Sequence, residues 1–384
     1  MQRIVRALQN FFKKGDLALL FLCLLATGFG CVVISSATSY MGSRRFVMVQ
    51  LVATLLGVAL YILLSSIDVE ILAERRELLF LFNAFLILLL VPFGTDNGTG
   101  NRSWLDLPGV PVDIQPAEIC KITFVILLAK VMYTHQNKIS SPKSVFHMAF
   151  HLIFLVGLNM VISRDAGVSL IFVFIFLVMA FVGGVKLWWF LAGIGAVAAA
   201  APYIWSHLIP DYQKSRILVL FDPTIDPQGL NERWHIRHSL TSLTGGGLTG
   251  QGLFNGSRTQ SGALNAQHTD FIFSAIGEEL GLLGCIFTLL LLCAIIIRVI
   301  YVGIKAPNYM NRLICMGTAA ALIFQVCVNV GMCIGVVPVI GLTLPFISYG
   351  GSSIVSLYMA MGVVSSVHAR PSASPQNRYI QPRY

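Results

Sequence analysis

Apolar residues along the chain gather into ten runs, at 17–35, 46–64, 78–93, 116–133, 145–162, 168–183, 187–206, 271–303, 312–334 and 350–368. A helix needs about 20 predominantly apolar residues to cross the hydrocarbon core of a bilayer, and most of these runs approach that length. The pattern therefore predicts an all-α, polytopic membrane protein with about ten transmembrane helices. A single membrane domain would cover 17–368, between an N-terminal arm (1–16) and a polar, proline-containing tail (369–384).

Two polar segments interrupt the pattern at length, 94–115 and 207–267, and both fall on the same side of an even-numbered bundle. The second, between helices 7 and 8, is the longest loop in the chain. It contains Trp234, an Arg/His-rich piece at 232–243 with helical spacing, and the run GGGLTGQGLFNG at 245–256. Glycines there permit positive φ and close backbone approach, which serves simple turns or a ligand cradle alike. Basic residues choose the opposite side: the N-terminal arm, Arg75, Arg76, Lys138, Lys143, Lys186, Lys305, Arg312 and the tail residues Arg370, Arg378 and Arg383. By the positive-inside rule that side, with both termini, is cytoplasmic. Arg3, Arg6, Lys13 and Lys14 ahead of the first run imitate a signal peptide, but no A-x-A-like site follows, so an uncleaved first span is expected.

Composition agrees. The 384 residues are 56% hydrophobic and 11% charged, whereas a soluble domain carries about a quarter charged residues, so a soluble fold is excluded. The formal net charge of +9 is spread between apolar spans, which favours anionic lipid or an anionic lipid-linked substrate over nucleic acid. Eight cysteines lie inside apolar segments without metal-ligand spacing and read as small packing residues.

Charges at membrane depth need a partner, a wet cavity or a function. Glu118 and Lys121 in QPAEICK stand three apart, on one helix face, as a structural ion pair or part of a substrate cavity. Asp165, in SRDAGVS, is placed either to cap the following helix or to act chemically. Asp270, in HTDFIFSAIGEELG, lies where the long loop gives way to a span, about 15 Å above Leu280 on a continuous helix. It is the strongest catalytic candidate, with helix capping as the bland alternative and His268 and Thr269 as local partners. Glu278 and Glu279 should be neutralised by a base, a proton or a cation. PVIGLTLPFISYGGSS (338–353) breaks the last apolar stretch, and Ser348, Tyr349, Ser352 and Ser353 would supply hydrogen bonds inside the bundle.

In the order RSWLDL with QPAEICK, DPTIDPQG, GGGLTGQGL, HTDFIFSAIGEELG and LPFISYGGSS, the chain resembles the SEDS (shape, elongation, division and sporulation) family over nearly its whole length. The resemblance implies a ten-span, GT-C-like fold and a peptidoglycan glycosyltransferase that polymerises lipid II on the outer face of the bacterial cytoplasmic membrane, releasing undecaprenyl pyrophosphate. It also implies a class B penicillin-binding protein as transpeptidase partner, and a divalent cation, Mg2+ or Mn2+, as a possible cofactor. Asp270 matches the family's essential aspartate, Glu118 and Lys121 its QP-x-E-x-x-K pair, and Asp165 the aspartate of its QPDLGT. The chain departs at Ser163, Arg164 and Ala166, at Asp113 where many members are basic, and at Leu264, Asn265 and Ala266 where many have L-P-E.

On this resemblance Asp270 is the general base that takes the acceptor hydroxyl proton. Glu118, Lys121, Asp165, Arg102, His268, Thr269 and Ser348 form the candidate substrate-binding set, with Lys121, Arg102, Arg233, Arg237 and Arg258 as possible counter-charges for pyrophosphate. The rivals are a flippase for a lipid-linked precursor and a scaffold that recruits the transpeptidase. The segment 329–353 and the short tail lean slightly towards the rod-shape elongation branch.

Overall fold

A computed structural model of the chain describes residues 11–95, 101–106, 114–226, 232–264 and 266–370. The terminal arm before residue 11, the tail after 370, Asp113, Asn265 and the last part of DPTIDPQG lie outside the described residues.

Every one of the ten apolar runs is occupied by a helix: α1 (Leu17–Ala37), α2 (Arg45–Ser66), α3 (Arg76–Phe93), α4 (Pro116–Thr134), α5 (Pro142–Ile162), α6 (Ala166–Val182), α7 (Leu187–Tyr203), α8 (Ile272–Lys305), α9 (Tyr309–Cys333) and α10 (Gly351–Ala369). Among the described residues, eight helices have the length and apolarity to cross a membrane, α7 counted on to His207. The other two differ for physical reasons. Helix α6 has 17 residues, about 25 Å of rise, and α4 carries Glu118, Lys121 and Lys130.

Helix α4 is the axle of the bundle, with 13 of its 19 residues buried, and it packs against α3, α5, α6, α9 and α10. Its charges are tolerated because they face protein. Helix α7 is the opposite case: none of its residues is buried, so its apolar surface faces outward all round. Helices α2 and α10 pack closely because glycines let the backbones approach. A β-carbon on Gly57 would come within 2.9 Å of the Tyr358 ring, and one on Gly362 within 2.9 Å of the Tyr61 backbone. The cysteines among the described residues are all free thiols.

At the end carrying the basic residues, Asp16 and Arg298 form an ion pair at 2.9 Å. Ser365 Oγ accepts from the Asp16 N–H, and Tyr61 donates its phenol to the Asp16 carbonyl, so α1, α2, α8 and α10 meet there. Arg370 satisfies the end of α2 by donating to the Ser66 and Ile67 carbonyls.

The other end is organised by a break in α8. Gly281 has φ 66° and ψ −164°, so Ile272–Lys305 is two helices meeting at a kink. Asp270 is therefore not carried straight above Leu280 on one continuous helix, as the sequence suggested. The kink would strand four backbone groups, and the glycine run of the long loop supplies partners for all of them. The N–H groups of Gln251 and Gly252 donate to the Glu278 and Glu279 carbonyls, while Leu282 and Leu283 donate to the Gly247 and Leu248 carbonyls. Such close insertion requires the missing side chains. A β-carbon on Gly246 would lie 1.9 Å from the Gly277 oxygen, and one on Gly250 (φ +80°) 2.1 Å from the Glu279 oxygen. Gly246 and Gly250 thus serve backbone packing.

Gly250→Ala should consequently destabilise the purified protein by about 2 kcal/mol or more, through steric overlap and backbone strain together. Gly193→Ala, on lipid-facing α7 with nothing near its β-carbon position, should be neutral or stabilise by up to about 1 kcal/mol. Thermal unfolding in detergent, followed by size-exclusion chromatography, compares the two.

Candidate functional site

Asp270 closes a turn that begins at Ala266, which accepts the N–H groups of Thr269 and Phe271. The segment leading to it is held by its backbone. Ser348 Oγ donates to the Thr269 carbonyl at 2.6 Å, the Tyr349 N–H donates to the His268 carbonyl at 2.8 Å, and Asn329 Nδ2 donates to the Asp270 carbonyl at 2.8 Å. Buried Gln50 fixes the opposing loop, donating to the Ser348 carbonyl and accepting from the Gly350 N–H. Ser348 also accepts from the Leu344 N–H, so its hydroxyl is spent on positioning. Likewise the Thr269 hydroxyl donates to the Ala266 carbonyl.

These bonds leave the Asp270 side chain unengaged. The helix that follows is capped by Phe271 without a side-chain bond, which removes the capping explanation for Asp270. Among the described residues its carboxylate accepts no hydrogen bond. It is half-buried and lies beside Gly341, where a β-carbon would sit 3.6 Å from Oδ2. Burial, then the charge of Asp165, push its carboxyl up to about 6, against a smaller opposing pull from Arg216. Arg216, on the loop helix Asp211–Leu218, was not among the bases singled out from the sequence. Nothing in that polar stretch marks its side chain as the one that reaches towards Asp270.

The other acids near this mouth are engaged. Asp165 caps α6 by accepting the Val168 N–H at 3.0 Å, and its Oδ2 accepts from Ser103 at 3.2 Å and Gln115 at 3.4 Å. Burial raises its carboxyl and the Glu118 charge adds to this, while the Val168 and Ser103 hydrogen bonds and Lys121 oppose. Glu118 and Lys121 form an ion pair at 2.8 Å, each less than a tenth exposed, and Ser356 on α10 donates to the second Glu118 oxygen at 2.7 Å. A cavity between α4, α9 and α10 opens beside the pair. Glu278 and Glu279 differ from the expectation of a base, proton or cation. Glu278 accepts from the backbone of Arg258 and Thr259 and from two hydroxyls, and Glu279 accepts from Ser36 and Gln260. Neutral donors suffice because each carboxylate anchors the turn at 256–260.

His268 packs between the rings of Phe46 and Tyr349, at 4.8 and 5.7 Å, and its buried Nδ1 has no partner among the described residues. Burial lowers its imidazole below the usual range. Arg258 donates to His238 Nδ1 at 3.0 Å and is committed to the loop, while Arg102 is exposed on the hairpin of Gly94–Thr95 and Trp104–Leu105. Among the described residues no three His, Cys, Asp or Glu side chains converge as a metal cage. Asp165 and Asp270 could share a divalent cation only if phosphate oxygens and water completed its shell, an arrangement Mg2+ accepts.

Fold and site together define a polytopic membrane protein with a carboxylate, unpaired among the described residues, held at the mouth of one end of a helical bundle. The chain belongs to the FtsW/RodA/SpoVE family of cell cycle proteins, whose family model matches residues 17–373. It is similar to the peptidoglycan glycosyltransferase MrdB of Escherichia coli (strain K12), 33% identical over 317 residues that cover 82% of this chain and 83% of that one. It is 31% identical over 374 residues to the probable peptidoglycan glycosyltransferase FtsW of Geobacter metallireducens, covering 94% and 97%. Among solved structures it resembles a chain reported for the structural coordination of polymerization and crosslinking by a peptidoglycan synthase complex. The TM-score is 0.78 at 30% identity, over 96% of this chain and 99% of that one.

Two outcomes are expected. Because the folded Asp270 holds its proton more tightly than the unfolded chain, its ionisation costs stability as pH rises from about 4 to about 6. Asp270→Asn should therefore raise the thermal midpoint at pH 8 but not at pH 4, read by melting at both. Lys121→Met should destabilise by about 3 kcal/mol or more by stranding Glu118. Adding Glu118→Gln should recover much of that loss in the same melts, and any activity that stays lost in the double variant measures the pair's role beyond packing.

Proposed function

We propose that Asp270 is the general base of a glycan-polymerising reaction in which lipid II is the substrate. Family membership and its relatives make the chain a peptidoglycan glycosyltransferase. In the reaction the oxygen of an acceptor sugar hydroxyl bonds to the anomeric carbon of the donor, and the anomeric bond to lipid pyrophosphate breaks. The hydroxyl proton passes to Asp270 and the electron pair leaves with undecaprenyl pyrophosphate. The observation that carries this reading is the Asp270 carboxylate, fixed through its backbone yet free of hydrogen bonds from the described residues. A carboxyl near 6 is deprotonated at neutral pH and still basic enough to take a proton in the transition state.

The leaving group needs positive charge. Arg216, whose charge already opposes the rise of the Asp270 carboxyl, is the basic group placed to supply it, whereas Lys121 is bound to Glu118. A divalent cation, Mg2+ or Mn2+, held by Asp270, Asp165 and phosphate oxygens would add to that charge stabilisation when bound. By the positive-inside rule, the basic residues at the far end favour a cytoplasmic side for both termini and the outer face for Asp270. A class B penicillin-binding protein is the partner that would crosslink the product, a reading supported by the polymerization and crosslinking complex among the structural neighbours. The elongation branch is favoured slightly, by segment 329–353.

A flippase would expose its acids alternately to both sides. Here the Asp16–Arg298 pair and the contacts around it tie α1, α2, α8 and α10 together at the far end, which favours chemistry on one face. Asp270→Ala, reconstituted with lipid II, should retain binding but lose polymerisation by at least about 100-fold, the lower end of a general base's contribution. Gel analysis of glycan length checks this, and polymer at the wild-type rate would remove Asp270 from the mechanism.

A further inference from the structure

The segments that present Ser103 and Asp165 inward present their neighbours outward. Ser103 donates to Asp165, while the adjacent Arg102 and Arg164 are exposed and line one groove of about 670 Å3 between the ends of α3 and α5 and the paired strands Gly94–Thr95 and Trp104–Leu105. Neither guanidinium has a carboxylate partner among the described residues. The rest of the lining divides into two parts. Gly94 and Thr95 lie on the hairpin beside the arginines, and Val91 and Val161, 53% and 78% exposed, belong to the membrane-facing surfaces of α3 and α5. A polar, doubly cationic pocket thus adjoins an apolar wall, the division expected for a phosphate carried on a lipid chain.

Arg164 carries a second signal. Its φ is +58°, the left-handed region, where it ends α5 by donating its N–H to the Asn159 carbonyl. That position ordinarily favours glycine, and a residue with a β-carbon costs about 1 kcal/mol there. The backbone bond would form equally well with glycine, so the fold gains nothing local from an arginine side chain. A strained residue maintained at the rim of a site points to a function for its side chain.

We propose that Arg102 and Arg164 form a binding site for the pyrophosphate of a polyprenyl carrier, outside the Asp270 centre and separated from it by Ser103 and Asp165. Two guanidiniums can each make paired charge-assisted hydrogen bonds to phosphate oxygens, which suits a diphosphate better than the single phosphate of a bulk phospholipid. The polyprenyl chain would run along Val91 and Val161. The identity of the lipid rests on the glycosyltransferase reading given above, because that reaction brings a polyprenyl pyrophosphate to this end of the bundle. The groove is the place where the leaving lipid waits or the donor first docks.

The experiment uses the full chain in nanodiscs, with polyprenyl pyrophosphate lacking sugars as probe and binding measured directly, so that it does not depend on turnover. Arg164→Gly relieves the backbone strain and should keep or raise the thermal midpoint while weakening binding about tenfold, the value of one charge-assisted contact. Arg102→Gln should do the same, and the double variant should lose more. With a chelator present, Asp270→Ala should bind as the wild type does, so a failed base assignment and a failed groove give different results. Unchanged affinity in Arg164→Gly and Arg102→Gln would overturn the site. So would competition by phosphatidylglycerol as effective as that by polyprenyl monophosphate or pyrophosphate, since it would assign the groove to bulk anionic lipid.

Discussion

A bilayer offers no water to satisfy a broken helix, and the break at Gly281 is where this constraint shapes the protein. Glycines 246–252 lend their backbone to the carbonyls and N–H groups that the kink releases. Once the loop is threaded there, Glu278 and Glu279 project into it and accept from the following turn, which returns towards α1 through Ser36. The loop that looks longest and loosest in the sequence is thereby tied to the core of α8. The short helical piece before Gly281 in turn sets where the His268–Asp270 turn emerges.

That scaffold separates two uses of acidic residues. Glu118, Asp165, Glu278 and Glu279 accept hydrogen bonds or ion pairs and hold elements together. Among the described residues Asp270 is positioned through its carbonyl and its neighbours' backbone, which leaves its carboxylate available. Its basicity is set by burial and by Asp165, which in turn feels Glu118 and Lys121. The motif acids thus form an electrostatic series in which one member keeps a carboxylate clear of the described residues and the others tune or position it. Ser348 belongs to the positioning group, since its hydroxyl is consumed by the Thr269 carbonyl and the Leu344 N–H.

The spans were legible because a helix in lipid requires a long apolar run, and even α4, with three charges, kept its run. Asp270 was legible because a carboxylate at the junction of loop and span is costly without a role. Other features depended on contacts between distant segments. The break at Gly281 lies in a stretch that reads as one helix, since its cause is a loop about 30 residues earlier in the chain. The neutral donors to Glu278 and Glu279, the approach of Arg216, and the failure of Asp270 to cap α8 likewise follow from folding, with no local sequence signal.

The central claim is that Asp270 works as a base whose strength is set by burial and by the charge of Asp165. The most direct test is the pH profile of kcat for lipid II polymerisation in the wild type and in Asp165→Asn, which retains a capping side chain. The account predicts a rising limb near pH 6 in the wild type, shifted to lower pH in Asp165→Asn because a like charge has been removed. A limb that stays in place, or moves to higher pH, would contradict it.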